Sequence, residues 1–112
     1  VSISTHILDT ALGRPAAGVS VMLYFVKDGE FVPVGLGSTD KDGRCGALLA
    51  APHSLEAGLY KMVFSTGDYY ERIGKQGLYP VVEITFEVRE GETHYHIPLL
   101  LTPNSYTTYR GS

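Results

Sequence analysis

The sequence predicts an all-β fold: a sandwich of eight short strands with one short helix. Three observations carry that expectation. Apolar residues recur at every second position in several separate runs. Clusters of Gly, Pro and Asp punctuate the runs at near-regular spacing. A single segment abandons the two-residue period for a helical one.

The first strand places Ile3, Thr5 and Ile7 on one face and Ser4, His6 and Leu8 on the other. Gly13-Arg14-Pro15 then reads as a turn. Val19, Val21, Leu23 and Phe25 alternate with Ser20, Met22 and Tyr24 to give the second strand, which ends at the turn Asp28-Gly29. Residues 31–36 and 44–49 are weaker strands, divided by the turn Asp40-Lys41-Asp42-Gly43. Residues 59–65, rich in β-formers, follow Gly58. Asp68 with Glu71 three positions on has the spacing of a capping box, and Gly74 supplies a stop about one and a half helical turns later. Val82, Ile84, Phe86 and Val88 alternate with Glu83, Thr85 and Glu87, the pattern of a half-buried strand. After Glu90-Gly91, Tyr95, Ile97, Leu99 and Leu101 oppose His94, His96, Pro98 and Leu100. Residues 105–110, dense in Thr and Tyr, complete the eight.

Composition bounds the rest. A length of 112 residues fits one domain spanning 1–112. With 44% hydrophobic and 11% aromatic residues the chain has the means to bury a core. One Cys leaves no internal disulfide and no Cys-only zinc site. A net charge of −3 disfavours non-specific binding to nucleic acid or anionic membrane. No apolar run nears the roughly 20 residues that span a bilayer. The start, Val1-Ser2-Ile3-Ser4, has no basic-then-apolar leader, although a leader already removed would leave the same start. The single Cys then favours the cytoplasm, with a mature periplasmic form left open; the tail is not the Ser-Lys-Leu peroxisomal address.

The histidines differ in interest. His53 sits in a polar loop and reads as a surface residue. His6, His94 and His96 lie opposite the apolar faces of their strands, so they point out of the sandwich. The bland reading is a hydrogen-bonded surface imidazole. The sharper one is acid–base chemistry, or a zinc site built from the His94-x-His96 pair and His6. Asp40-Lys41-Asp42-Gly43 shares the opening of a calcium loop but lacks the later Glu. Arg44 could lower the thiol pKa of Cys45 and make it a nucleophile; a small buried hydrophobe is the commoner role. No nucleophile elbow, P-loop or dinucleotide fingerprint is present.

Ser4-Thr5-His6-Ile7-Leu8-Asp9, Asp42-Gly43-Arg44-Cys45, His94-Tyr95-His96-Ile97-Pro98-Leu99-Leu100-Leu101 and the terminal Tyr109-Arg110-Gly111-Ser112 together resemble the 5-hydroxyisourate hydrolases, the transthyretin-related enzymes of urate degradation. The similarity runs over essentially the whole chain, and the terminal tetrapeptide is its most specific part. It implies a transthyretin-like (prealbumin-like) eight-stranded sandwich with one short helix. It also implies a homotetramer, a dimer of dimers with active sites in a channel at the dimer–dimer interface. The implied reaction is hydrolysis of 5-hydroxyisourate to 2-oxo-4-hydroxy-4-carboxy-5-ureidoimidazoline, with no cofactor and no metal. The implied catalytic residues are His6, Arg44, His96 and Ser112, with His6, Arg44 and Tyr109 binding substrate. Which histidine acts as base is left open. The competing reading is a small-molecule carrier of the hormone-binding type, without catalysis.

Overall fold

The computed structural model describes residues 2–51 and 53–112. Its strands are β1 (Ser2–Asp9), β2 (Arg14–Pro15), β3 (Ser20–Lys27), β4 (Glu30–Ser38), β5 (Arg44–Cys45), β6 (Gly58–Phe64), β7 (Val82–Val88), β8 (His94–Thr102) and β9 (Ser105–Thr108), with one helix, α1 (Thr66–Arg72). All eight expected strands and the helix are there. One sheet runs β2-β1-β8-β9 with β5 also on β1; the other runs β4-β3-β6-β7. Every pairing is antiparallel except β1 with β8, which is parallel.

The alternation decides what faces inward. Ile3, Ile7, Tyr95, Leu99 and Leu101 from one sheet meet Val21, Leu23, Tyr60, Met62 and Phe64 from the other. Each fully buried side chain of this kind contributes about 1.5–3 kcal/mol. On β1 the inward set is Ile3, Thr5, Ile7 and Asp9, so Ser4 and His6 point outward as the sequence pattern requires. His94 and His96 point outward from β8 on the same face.

Four details depart from expectation. Arg14–Pro15 forms a short edge strand on Leu8 and Asp9, rather than a turn; Pro is tolerated there because an edge position needs no N–H. β5 stops at Cys45 rather than 49, because the chain leaves the sheet at Gly46 and buries Leu48 in the core. The helix starts at Thr66, with Ser65 in the cap position, so Asp68 lies in the first turn and the Asp68–Glu71 capping box does not form. The loop after the helix replaces it: Gly67 N–H donates to the Pro80 carbonyl at 2.8 Å and Thr66 Oγ1 to the Tyr79 carbonyl at 2.7 Å. The stop at Gly74 holds, with φ of 74°, Gly74 N–H on the Glu71 carbonyl and Lys75 N–H on that of Tyr70.

The fourth departure is at the end of the chain. β9 stops at Thr108 because the next partner on β8 is Pro98, which has no N–H to offer. The ladder resumes past that gap in the same register: Leu99 pairs with Thr108, and His96 pairs with Gly111, whose N–H reaches the His96 carbonyl at 2.8 Å.

Candidate active site

Strand pairing sets out the side chains before any of them interacts. His6 on β1 is directly opposite Arg44 on β5, and Ser4 on β1 is directly opposite His96 on β8. Arg44 owes its place to the turn before it. Asp40 accepts the N–H groups of Asp42 at 2.9 Å and Arg44 at 3.0 Å, and the Arg44 bond is the main reason its carboxyl stays below the usual range. Gly43 has φ of 78° and lies so close to β1 that a Cβ there would stand 2.3 Å from the Ile7 carbonyl oxygen. Only glycine fits, and the close approach puts Arg44 against His6.

An open groove of about 290 Å³ lies on this outer face, lined by Ser4, Arg44, Cys45, His94, His96 and Ser112 among others. Ser4 Oγ lies 2.8 Å from His96 Nδ1, and Ser2 Oγ 2.5 Å from His94 Nδ1. His6 Nε2–H donates to the Asp42 carbonyl at 2.9 Å, which leaves Nδ1 as the free lone pair of the neutral ring. Burial pushes the His96 pKa down, and the positive charges of His6, His94 and Arg44 push it further. His96 is therefore a neutral imidazole at pH 7.

Gly111 is what lets the tail lie beside that ring. A Cβ there would be 2.6 Å from His96 Cδ2 and 3.2 Å from Pro98 Cγ. Ser112 reaches the groove on the far side of Gly111.

Of the residues singled out in the sequence, Arg44, His96 and Ser112 converge on the groove. His6 stands at its margin, opposite Arg44 and tied to Asp42. Tyr109 is 55% exposed and lies outside the lining. Cys45 is not an activated thiol: burial raises its pKa and the Asp40 carboxylate adds to the rise, against one backbone hydrogen bond at Ser38 that lowers it. His94, weighed in the sequence as a zinc-ligand candidate, lines the groove too. Ser4 escaped the sequence reading of the site, and the usable signal was Ser2-x-Ser4 matching His94-x-His96 at the same period. Among the described residues no three His, Cys, Asp or Glu side chains cluster closely enough to hold a metal ion.

Two sheets of this topology, with imidazoles and a guanidinium gathered on an outer face beside the chain's own tail, define a transthyretin-type sandwich with acid–base groups on its surface. The family model for the HIUase/Transthyretin family matches residues 3–111, and the chain belongs to that family. The 5-hydroxyisourate hydrolase of Ralstonia nicotianae is 40% identical, over 98% of this chain and 97% of its own. The structure of Klebsiella pneumoniae 5-hydroxyisourate hydrolase matches with TM-score 0.85 and 37% identity, covering both chains completely. Sea bream transthyretin in complex with thyroxine matches with TM-score 0.90 and 32% identity, over 99% of this chain and 95% of that one.

Proposed function

We propose that this protein hydrolyses 5-hydroxyisourate, the substrate in the names of its hydrolase relatives. The observation that carries the reading is the convergence of His96, Arg44 and Ser112 on one groove. Water adds to the ring carbonyl beside a ring nitrogen and the carbon–nitrogen bond breaks; the nitrogen takes one of the water's protons, and the carbonyl carbon, still part of the opened product, becomes a carboxylate as the other proton passes to solvent. Neutral His96 takes the proton from water and returns one to the leaving nitrogen. In the tautomer that frees Nε2 for this work, Nδ1–H donates to Ser4 Oγ. Such a base contributes about 10²–10⁴-fold. Arg44 carries a permanent charge and a fork of donors suited to the developing oxyanion, a role worth about 10²–10³-fold. His6, across from Arg44, offers Nδ1 to the substrate. Tyr109 and Ser112 complete the site from the tail with their hydroxyls, and no metal or covalent intermediate is required.

The working form is a homotetramer with the groove closed by a second copy. The groove is open in one chain, and Tyr106 and Tyr109 on the adjoining tail are exposed. Covering them excludes water and strengthens each charge–dipole contact. Light scattering should give about four times the 12.2 kDa chain.

The similarity to thyroxine-bound transthyretin favours a carrier as the second reading. An apolar ligand would gain little from a groove lined by two imidazoles and a guanidinium. The test adds the purified protein to freshly generated 5-hydroxyisourate and follows its ultraviolet decay, with and without prior chelation. Accelerated, chelator-resistant decay is expected. Decay at the spontaneous rate would leave only the carrier, and activity lost on chelation and restored by zinc would replace the metal-free chemistry.

A further inference from the structure

Four groups outside the groove form one connected assembly. Arg110 leaves the chain between Tyr109 and Gly111, and its guanidinium sits 4.3 Å over the ring of Tyr95. Its Nη1 donates to both carboxylate oxygens of Glu92, at 3.3 and 3.4 Å, while Nη2 donates to the His94 carbonyl at 3.1 Å. Glu92 is itself tethered, because the buried Tyr95 donates its hydroxyl to the same carboxylate. Tyr95 is fixed in turn by accepting Arg89 N–H at 2.8 Å. None of these side chains lines the groove.

We propose that Glu92 is a positioning residue: its carboxylate holds Arg110, and through it the Gly111-Ser112 tail, against the rim of the groove. The inference rests on the hydrolytic reading above. An isolated surface ion pair would be too weak for this task, since its attraction barely exceeds the cost of ordering two side chains. Here both partners are already ordered by Tyr95, one through its hydroxyl and one through its ring, so less freedom is lost when they meet. The need for a clamp follows from the interrupted ladder. Pro98 removes a rung just before the tail, and beyond it only the single bond of Gly111 N–H to the His96 carbonyl ties the backbone to β8. Arg110 is the one residue in that stretch with side-chain bonds to the body of the protein among the described residues. Glu92 keeps its charge well into acid, because the Tyr95 hydroxyl and then Arg110 hold its pKa below the carboxylate range.

A loosened tail leaves the site competent for a smaller fraction of the time. Substrate must then select that fraction, so KM rises while kcat holds. The test compares Glu92→Ala, Glu92→Gln, Arg110→Ala and the double Ala variant, with Glu90→Gln as a control expected to match wild type. Hydrogen exchange of the Gly111 amide, which is bonded to the His96 carbonyl, and steady-state kinetics on 5-hydroxyisourate are both measured. Expected are a rise of about three- to tenfold in KM and in the Gly111 exchange rate for Glu92→Ala, with partial recovery in Glu92→Gln. The double variant should be no worse than Arg110→Ala alone. Exchange of Gly111 at the wild-type rate in Glu92→Ala would overturn the clamp, as would additive losses in the double variant or a fall in kcat with KM unchanged. Wild-type protein inert toward 5-hydroxyisourate would instead sink the hydrolytic reading, while the exchange assay still judges the clamp.

Discussion

Two clusters of titratable groups in this molecule handle their polar atoms in opposite ways. On the outer face of β1 and β8, His6, His94, His96 and Arg44 stand within reach of solvent, and each imidazole has one nitrogen engaged and the other free. Beside α1, Asp9, Tyr69 and Tyr70 are all buried. Tyr69 donates to Asp9 Oδ2 at 2.7 Å, Leu12 N–H to Oδ1 at 3.0 Å, and the Tyr70 hydroxyl has no partner among the described residues. Burial, and then the nearby Asp9 carboxylate, pushes both phenols up to about 12. The first group presents free imidazole nitrogens and a guanidinium to whatever enters the groove. In the second the two phenols stay protonated, and Tyr69 with Asp9 works as a strut between β1 and the helix. A density of ionisable residues does not identify a reactive site; a free lone pair facing a groove does.

The comparison can be broken most forcefully by truncating its two halves. His96→Ala and Arg44→Ala should each cost about tenfold to a thousandfold in kcat/KM with native circular dichroism, whereas Tyr69→Phe should leave the rate unchanged. Deleting residues 109–112 should cost at least about tenfold, since Ser112 is placed in the groove by that stretch. A variant without the tail that turns over normally would remove the C-terminus from the site.

The strut is tested by stability. Tyr69→Phe strips the buried Asp9 carboxylate of one of its two donors and should cost about 1–3 kcal/mol in denaturant unfolding. Tyr70→Phe removes a hydroxyl that has no partner, so it should be neutral or stabilising. Equal losses from the two would show that Tyr70 has a polar role too.

The smallest expected effect is on the pH profile. His96 must be neutral to accept a proton, and its pKa lies below the ordinary imidazole value. The acid limb of kcat/KM should therefore fall at a lower pH than a free imidazole would dictate. His94→Ala removes one of the charges that depress it, so the limb should move to higher pH with the plateau rate little changed. An unmoved limb would assign the titration to a group other than His96.

Most of the fold was legible because it rests on the two-residue period. Ile3 and Ile7 inward and His6 outward follow from sequence neighbours alone, and the same holds for Tyr95 against His96. Arg44 was legible as a site residue only through the family resemblance, since its position depends on the close approach of Gly43 to Ile7. The pairing of Ser4 with His96, and of Ser2 with His94, joins residues 92 apart through a parallel alignment that no local pattern announces. The Asp68–Glu71 spacing misled for a related reason: backbone carbonyls of Tyr79 and Pro80, distant in sequence, had already taken up the start of the helix.

The parallel pairing of β1 with β8 also fixes an order of events. The sheet β4-β3-β6-β7 is built from strands that follow one another in sequence apart from the detours through residues 39–57 and 65–81, and it can form while the chain is still being made. The groove cannot, because it needs the first long strand and the last to be present together. Closing so wide a loop is entropically costly and slow. During synthesis β1 waits with one edge bare, carrying Ser4 and His6 but no partner, and an unpaired edge is open to any other strand that passes. The same long-range contact that assembles the site makes its scaffold vulnerable until β8 arrives, so the recovery of active protein should be governed by how soon β8 emerges rather than by the strength of the core.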